Sequence, residues 1–353
     1  MPTYPAPQLD ALLRRIYEAT GVPAEAAAIV ARHQVEANLV GHDSHGVMRT
    51  PAYVALIEKG DVVADAPFEI LQETPSSAVI DAHWGLGFVA TERAVDLACD
   101  KASVQGVAAM TVRRQGHIGR LGSYTSRAAE RGMIALLTAD SGRAPKAVAP
   151  FGGREARLGT NPISIALPTA DHGPVVLDMA TSTVAGGKVK VAASRGEQLP
   201  PGWIVDKDGN ASTDPADYLE GGALLPLGAD QGHKGYGLSF IVEVLSGLLT
   251  GIGFGVYPDG VHNDGVFMSV FAIERFRPLD EFTAEVSEFV EYLKATPKAS
   301  GFDEIYYPGE IESRKAARHQ REGIAIDDAS WQQLTGLAQR LGVSSAGLDP
   351  DEG

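Results

Sequence analysis

A mixed α/β layer flanked by helical termini is the fold this sequence predicts, on three observations. Apolar residues recur at helical spacing before about residue 60 and again from Leu279. Between Pro67 and about residue 276, short β-rich runs alternate with helical stretches, as in an α/β layer. A chain of 353 residues can also bury more than one core, so two lobes are expected. Residues 1–66 and 277–353 are read as the two parts of one helical lobe, and 67–276 as the α/β domain.

Taken in order, residues 8–19 and 24–40 read as amphipathic helices separated by Gly21, with Pro23 where a first turn tolerates it. Met48–Glu58 resumes a helical pattern that puts Arg49 and Tyr53 one turn apart, and Gly60 stops it. Strands are expected at Glu69–Leu71, Ala78–Ile80, Val107–Val112, Met133–Thr138, Ile163–Leu167, Val175–Leu177 and Val266–Ile273. Helices are expected at Phe88–Val104, Leu121–Glu130 and Thr183–Ala193, with a long buried one at Lys234–Leu249. The closing helices are Glu281–Lys294, Glu312–Gln320 and Ser330–Leu341, and the residues after Gly342 should fray.

Composition narrows the function. The apolar fraction of 44% and charged fraction of 21% are ordinary for a soluble enzyme. A formal charge of -15 argues against a nucleic-acid surface, although one local arginine can still hold a carboxylate. The single cysteine, Cys99, leaves no intrachain disulfide and no plausible Cys-based zinc site. Met1–Pro5 does not read as a signal peptide, and Leu238–Leu249 is too short for a membrane span and carries Glu243. A cytoplasmic protein with no membrane or nucleic-acid partner is the expectation.

The densest chemistry lies in Gly41-His42-Asp43-Ser44-His45-Gly46-Val47-Met48-Arg49. Histidine titrates near neutral pH, and arginine grips carboxylates with a two-pronged fork. Asp43 alone reads as a helix cap. His42 and His45 have no evident third partner, so no metal site is expected.

Other glycine-rich turns follow strands or open helices. Gly116-His117-Ile118-Gly119-Arg120-Leu121-Gly122 could turn backbone N–H groups towards an anion at a helix N-terminus. Gly85-Leu86-Gly87-Phe88-Val89-Ala90 fits a dinucleotide pattern, but the next strand ends in Val112-Arg113-Arg114 without the acidic residue that pattern needs. It reads as a helix entry. Gly159-Thr160-Asn161-Pro162 and Leu177-Asp178-Met179-Ala180-Thr181-Ser182 stand at strand edges, where α/β sheets bind ligands. Gly232-His233-Lys234-Gly235 opens the apolar helix, and Tyr307-Pro308-Gly309-Glu310 is a turn. His33, His83, His172, His262 and His319 have no supporting sequence neighbours and read as structural or surface residues. Neither a serine-hydrolase elbow nor a phosphate-binding P-loop is present.

In this order the motifs resemble the type-2 malate/L-lactate dehydrogenases, nicotinamide-dependent 2-oxoacid reductases without a standard Rossmann domain. The likeness is carried by residues 37–46, Gly116–Arg120, Gly159–Pro162, Leu177–Ser182, Pro200-Pro201-Gly202-Trp203, His233–Tyr236 and Tyr307–Glu310. Within the family, His117-Ile118-Gly119-Arg120 and Gly309-Glu310-Ile311-Glu312 look most like bacterial hydroxycarboxylate dehydrogenases. The resemblance implies a three-layer mixed-sheet cofactor domain and a helical lobe built from both termini. It implies a homodimer with the active site at the subunit interface, and NAD or NADP as cofactor, with NAD the preferred of the two. The reaction implied is reversible hydride transfer between NAD(P)H and a small 2-oxo acid, giving an L-2-hydroxy acid.

By position, His45 with Ser44 matches the proton donor, while some relatives give that role to the residue matching His117. Arg49, His117 and Thr160 fall on the substrate side. His45, Gly119, Arg120, Leu121, Val176, Leu177, Asp178, Met179, Ala180, His233, Lys234, Gly309, Glu310, Ile311 and Glu312 match cofactor positions. Gln115-Gly116 stands where many members carry Asn-Ser, which removes a polar contact near the substrate. A cyclic imino acid reductase and a non-catalytic binding protein on the same fold are the alternatives.

Overall fold

The computed structural model describes residues 2–142, 145–256 and 263–344; His262 and the tail 345–353, where fraying is expected, lie outside them. The chain opens with β1 (Thr3–Tyr4), α1 (Ala6–Ala19) and α2 (Ala24–Leu39), each helix entered from a proline whose fixed φ suits the turn. α1 buries Leu9, Leu12, Leu13 and Ile16, one stripe at helical spacing. Two single 3₁₀ turns, Asp43–His45 and Val47–Arg49, lead into α3 (Thr50–Lys59), which Gly60 ends at φ +83°.

The middle of the chain contains β2 (Glu69–Glu73), β3 (Ser77–Gly85), α4 (Gly87–Gln105), β4 (Val107–Gln115), α5 (Leu121–Glu130) and β5 (Met133–Ser141). Next come β6 (Ile163–Leu167), β7 (Val175–Met179) and α6 (Gly186–Arg195). A small excursion adds β8 (Ile204–Val205), β9 (Ala211–Ser212), α7 (Pro215–Leu219) and β10 (Ala223–Leu224). α8 (His233–Val242) runs into a π-helical segment, Glu243–Leu248. The chain ends with β11 (Asp264–Ala272), α9 (Leu279–Lys294), α10 (Glu310–Glu322), β12 (Ile324–Ala325) and α11 (Asp328–Arg340).

The main sheet has seven strands in the order β2-β3-β4-β11-β5-β6-β7. Only β3 and β4 pair in parallel; the other neighbours are antiparallel. Alternate residues of β11 show why the structure has three layers. Val266, Met268 and Val270 join the core beneath α4 and α5. Gly265 points the other way, where a Cβ would overlap the Ser246 carbonyl of the π-helical segment. The mixed sheet with helices on both faces is therefore as the sequence suggests.

A second core joins the two ends of the chain: Tyr4, Leu9, Leu12 and Val30 pack with Ile324, Leu334 and Leu337. β1 and β12 pair antiparallel, and Tyr4 stacks on Trp331 at 3.9 Å. α9 docks on the β6–β7 turn, where Ser287 Oγ accepts the Ala170 N–H at 3.1 Å.

Two expectations need correction. The helix read as buried from Lys234 to Leu249 turns only Gly235, Ser239 and Val242 of its α8 part fully inward, while Phe240 and Ile241 are each 53% exposed. Small inward residues let it lie close to its neighbours, and a Cβ on Gly235 would overlap the Leu227 carbonyl. The helix expected from Thr183 starts at Gly186, because Thr183 is taken by backbone bonding to Leu225. The described histidines read as structural or surface residues have their partners distant in sequence. His319 Nδ1 reaches the Leu39 carbonyl at 2.9 Å at the end of α2, His83 meets Glu69 at 2.5 Å, and His172 meets Glu291 at 3.2 Å.

His33 is the most consequential of these. It is buried on α2, packs against Tyr124 with ring centroids 4.7 Å apart and planes tilted by 32°, and meets Glu92 of α4 at 2.8 Å. Arg32 binds the same Glu92 oxygen. Burial alone would raise the Glu92 carboxyl, but His33 and Arg32 hold it down to about 2. A carboxyl depressed on folding stabilises the native state above its ordinary value of 4.5, and that contribution is lost as pH falls towards about 2. Glu92→Gln should therefore cost about 3 kcal/mol in urea unfolding at pH 7. The deficit should shrink between pH 4.5 and 2; a pH-independent deficit would contradict the pairing.

Candidate active site

The sheet delivers the candidate residues to one edge. The C-terminal ends of β4, β5 and β7 and the starts of β6 and β11 all face it, the usual binding edge of an α/β sheet. The helical lobe brings the 41–49 loop to the same edge. Two side chains of α2, one turn apart, hold that loop. Asn38 Oδ1 accepts the Val47 N–H at 2.8 Å, and its Nδ2 donates to Asp43 Oδ1 at 2.7 Å. Gln34 Nε2 donates to the Gly46 carbonyl at 3.1 Å, while its Oε1 accepts from Tyr17 at 2.7 Å and Thr50 at 3.3 Å. A Cβ at Gly46 would overlap Asn38, so glycine lets the loop lie against the helix.

The half-buried His45 ring emerges from this loop with Nδ1 3.0 Å from Ser44 Oγ. It stacks over His117, centroids 5.5 Å apart and planes 29° apart. Burial, with His42 and Arg49 adding, lowers the His45 pKa; Asp178 and Asp264 oppose that shift. His42 is lowered too, by burial and Arg120, and stands 3.9 Å from Glu312. Among the described residues no group of three or more His, Cys, Asp or Glu could hold a metal.

His117 follows β4, and its Nδ1 is pinned. The Gly119 N–H donates to it at 3.1 Å, and the Tyr53 hydroxyl lies 2.7 Å away. A ring nitrogen accepting an amide N–H carries no proton, so Tyr53 donates and the ring proton resides on Nε2. Burial pushes Tyr53 up to about 12, so its hydroxyl keeps its proton near neutrality. Arg49 extends over the Tyr53 ring at 5.4 Å, exposed and beside His45. Tyr53 emerges from its place one turn after Arg49; sequence reading paired it with Arg49 but gave it no link to His117.

Beside the histidines, the N-terminus of α5 meets β7. Asp178 Oδ2 accepts the Gly122 N–H at 2.9 Å and lies 3.2 Å from Arg120 Nε. Burial raises the Asp178 pKa, opposed by Arg120, Gly122 and His45. Leu121 is buried in the core, so only its backbone faces this edge. α10 also begins against β7. The Val176 N–H donates to the Pro308 carbonyl at 2.9 Å, and Gly309, at φ +90°, packs on Val176. Val176 is buried, Leu177 exposed, and Met179 and Ala180 half-buried.

Some candidates stand apart. The Glu310 carboxylate is bound by Lys294 at 2.6 and 2.7 Å and by Arg314 at 2.6 Å, so it anchors α10 to α9. Ile311 is exposed and Glu312 half-buried on that helix. His233 and Lys234 are exposed at the start of α8, with His233 edge-on to Phe151. Thr160 adjoins β7 through the Thr181 N–H, which donates to its carbonyl at 2.9 Å. The Gly85–Ala90 pattern opens α4, where a Cβ at Gly87 would overlap the Gly116 carbonyl, and Arg113 and Arg114 both pair with Asp81. A cleft of about 630 Å³ bounded by Glu130, His172, Glu274 and Asp280 includes none of the candidate residues.

Sequence patterns missed Asp264 altogether. Its Oδ2 accepts the Ile118 N–H at 3.0 Å and its Oδ1 the Ser141 hydroxyl at 2.7 Å. No local signal marks it, because both partners lie more than a hundred residues away.

Nitrogen NMR of the His117 ring at pH 7 should show an unprotonated, hydrogen-bonded Nδ1 and a protonated Nε2. A ring protonated at both positions would contradict the arrangement with Gly119.

The family model described as malate/L-lactate dehydrogenase matches residues 4–335. A malate dehydrogenase of Pyrococcus horikoshii is 39% identical over 347 residues, covering 96% of this chain and 95% of that one. Hydroxycarboxylate dehydrogenase B of Escherichia coli is 32% identical, with 96% and 94% covered. The solved delta1-piperideine-2-carboxylate reductase from Pseudomonas syringae is 34% identical, covers 96% of this chain and all 100% of its own, and superposes with a TM-score of 0.84. With a family match across nearly its whole length, the chain belongs to the malate/L-lactate dehydrogenase family.

Proposed function

We propose that this dehydrogenase interconverts a small 2-oxo acid and its L-2-hydroxy acid with a nicotinamide dinucleotide, using His45 as the acid/base. The observation that carries the reading is the His45–His117 stack, beside Arg49 and within electrostatic reach of Asp178. The cradle suits a dinucleotide. α5 and α10 both begin against β7, and helix N-termini favour a pyrophosphate. A Cβ at Gly122 would press on Arg120 and Asp178, so glycine keeps that approach open. Gly119–Leu121, Val176–Ala180 and Gly309–Glu312 would line it. Arg120 is paired with Asp178 rather than left to hold a 2′-phosphate, which supports NADH over NADPH.

When bound, the reduced nicotinamide supplies hydride to C2 of the 2-oxo acid. Arg49 would hold the carboxylate with both guanidinium arms and so aim C2. His117, neutral with its proton on Nε2, would donate a hydrogen bond to the carbonyl oxygen. It cannot take a second ring proton without losing the Gly119 bond, which leaves His45 to protonate the nascent alkoxide. Ser44, at 3.0 Å, holds the His45 ring. In reverse, neutral His45 accepts the hydroxyl proton. Its lowered pKa supports the base role near neutrality.

The exposed apolar residues Leu238, Phe240, Ile241 and Leu249 of α8 and its extension support a homodimer. In it, His233 and Lys234 would complete the site from the helix start. Sedimentation as a monomer at micromolar concentration would count against that part. An imine reductase is the second reading, favoured by the likeness to the piperideine-2-carboxylate reductase.

NADH and NADPH oxidation across a panel of 2-oxo acids and cyclic imines tests both readings; no turnover with any of them sinks both. His45→Ala should lower kcat by about 10²–10⁴ with cofactor affinity kept. An unchanged kcat removes His45 from the mechanism. Arg49→Lys should chiefly raise KM for the 2-oxo acid, since a point charge cannot reproduce the fork. An unaltered KM would exclude the carboxylate role.

A further inference from the structure

Under the Gly159–Asn161 turn, three charged side chains with no role in the proposed reaction are buried together. The side chains of Lys146, Asp140 and Glu243 are 1%, 0% and 10% exposed. Lys146 donates to Asp140 Oδ1 at 3.1 Å, to Glu243 Oε1 at 3.2 Å and to the Ser141 carbonyl at 3.4 Å. An ammonium has three N–H donors, and each has an acceptor here. The lysine is therefore pinned and does not serve a ligand.

Glu243 uses its other oxygen to accept from Asn161 Nδ2 at 2.9 Å, and the same amide donates to the Ser239 carbonyl at 3.1 Å. Asn161 has φ +42°, a left-handed conformation that a residue with a side chain keeps only when its surroundings enforce it. On the other side of the turn, Thr181 binds the Thr160 carbonyl through its N–H and the Asn161 carbonyl through its hydroxyl, both at 2.9 Å. From Ser141, the bonds already described continue through Asp264 to Ile118, the neighbour of His117. One run of contacts thus joins the substrate-side turn to the strand end that carries His117.

We infer that Lys146 is a positioning residue: by clamping Asp140 to Glu243 it fixes the Thr160–Asn161 turn in register with His117. The inference rests on the reading of Thr160 as a substrate-side residue. Without the cation, two buried carboxylates would face each other unpaired, and burial makes such repulsion strong. Asn161 would lose its rigid partner, and the turn would move relative to the histidines.

Asp140 gives the cluster a pH signature. Burial raises its carboxyl to about 7, Lys146 opposing and Glu243 adding to the rise. The charged groups facing it are Lys146 from the loop after β5 and Glu243 from the π-helical segment, with Asp264 of β11 linked through Ser141. With Asp140 ionised the cluster carries one net negative charge; with it protonated the cluster is neutral.

The test is steady-state kinetics with NADH and the best substrate of the panel. Lys146→Met should lower kcat on the order of 10–100-fold, as expected for misplacement of reacting groups, and raise substrate KM. NADH affinity, read by fluorescence, should stay within about twofold, because the cradle is untouched. Lys146→Arg should recover most of kcat by keeping the cation. Asp140→Asn, which fixes the neutral state, should erase an inflection near pH 7 in kcat/KM. Wild-type kcat and KM in Lys146→Met would overturn the inference. If that variant does not fold, an Asp140→Asn profile superimposable on the wild type overturns it instead. A wild-type enzyme inactive across the whole panel sinks the functional reading and this inference together; unaltered variants of an active enzyme sink the inference alone.

Discussion

The grip of α2 on the loop after it is the constraint on which the site depends. Asn38 and Gln34 satisfy backbone groups of residues 46 and 47 that would otherwise be buried without partners. Those bonds, not the loop's own short 3₁₀ turns, set where His45 and Arg49 project. Gln34 is itself held by Tyr17 of α1 and Thr50 of α3, so three helices cooperate in fixing one loop. A core packed mainly with aliphatic side chains thereby supports polar geometry at its rim.

Buried carboxylates recur in the fold, each balanced differently. Glu92 has a histidine and an arginine and stays ionised far below neutrality. Asp178 has one arginine and a helix N–H, and its pKa still rises. Asp140 shares a lysine with a second carboxylate and titrates near 7. Desolvation opposes the charged form in all three, so the number and placement of cations decides the outcome. The same chemical group becomes a fixed strut, a polar floor or a titrating group according to its neighbours.

How much of this could be read from sequence follows from distance along the chain. The strands Ile163–Leu167 and the helix Leu121–Glu130 are as expected, because periodicity and turn residues are local signals. The short pairs β1–β12 and β8–β10 went unread, since two-residue strands carry no periodicity and are defined only by partners far away. His42, His45 and Arg49 stand in one nine-residue motif and could be grouped at once. The approach of His117 could not be seen from it, because it comes from a strand some seventy residues later. Lys146 and Glu243 illustrate the deeper limit: a charge in sequence looks solvated, and only the fold shows it buried against a partner 97 residues away. Glu310 is the converse, a residue in a ligand-like motif whose carboxylate is committed to two cations within the fold.

The place of β11 in the sheet has a consequence for how the chain must assemble. β4 and β5 are neighbours in sequence but never pair; β11, arriving more than a hundred residues later, is inserted between them. Until residue 264 leaves the ribosome, two unpaired strand edges stay open in the nascent chain, and such long-range closure is slow. Completion of the sheet and delivery of Asp264 beneath the candidate site are then a single late event, so a truncated or stalled chain lacks both.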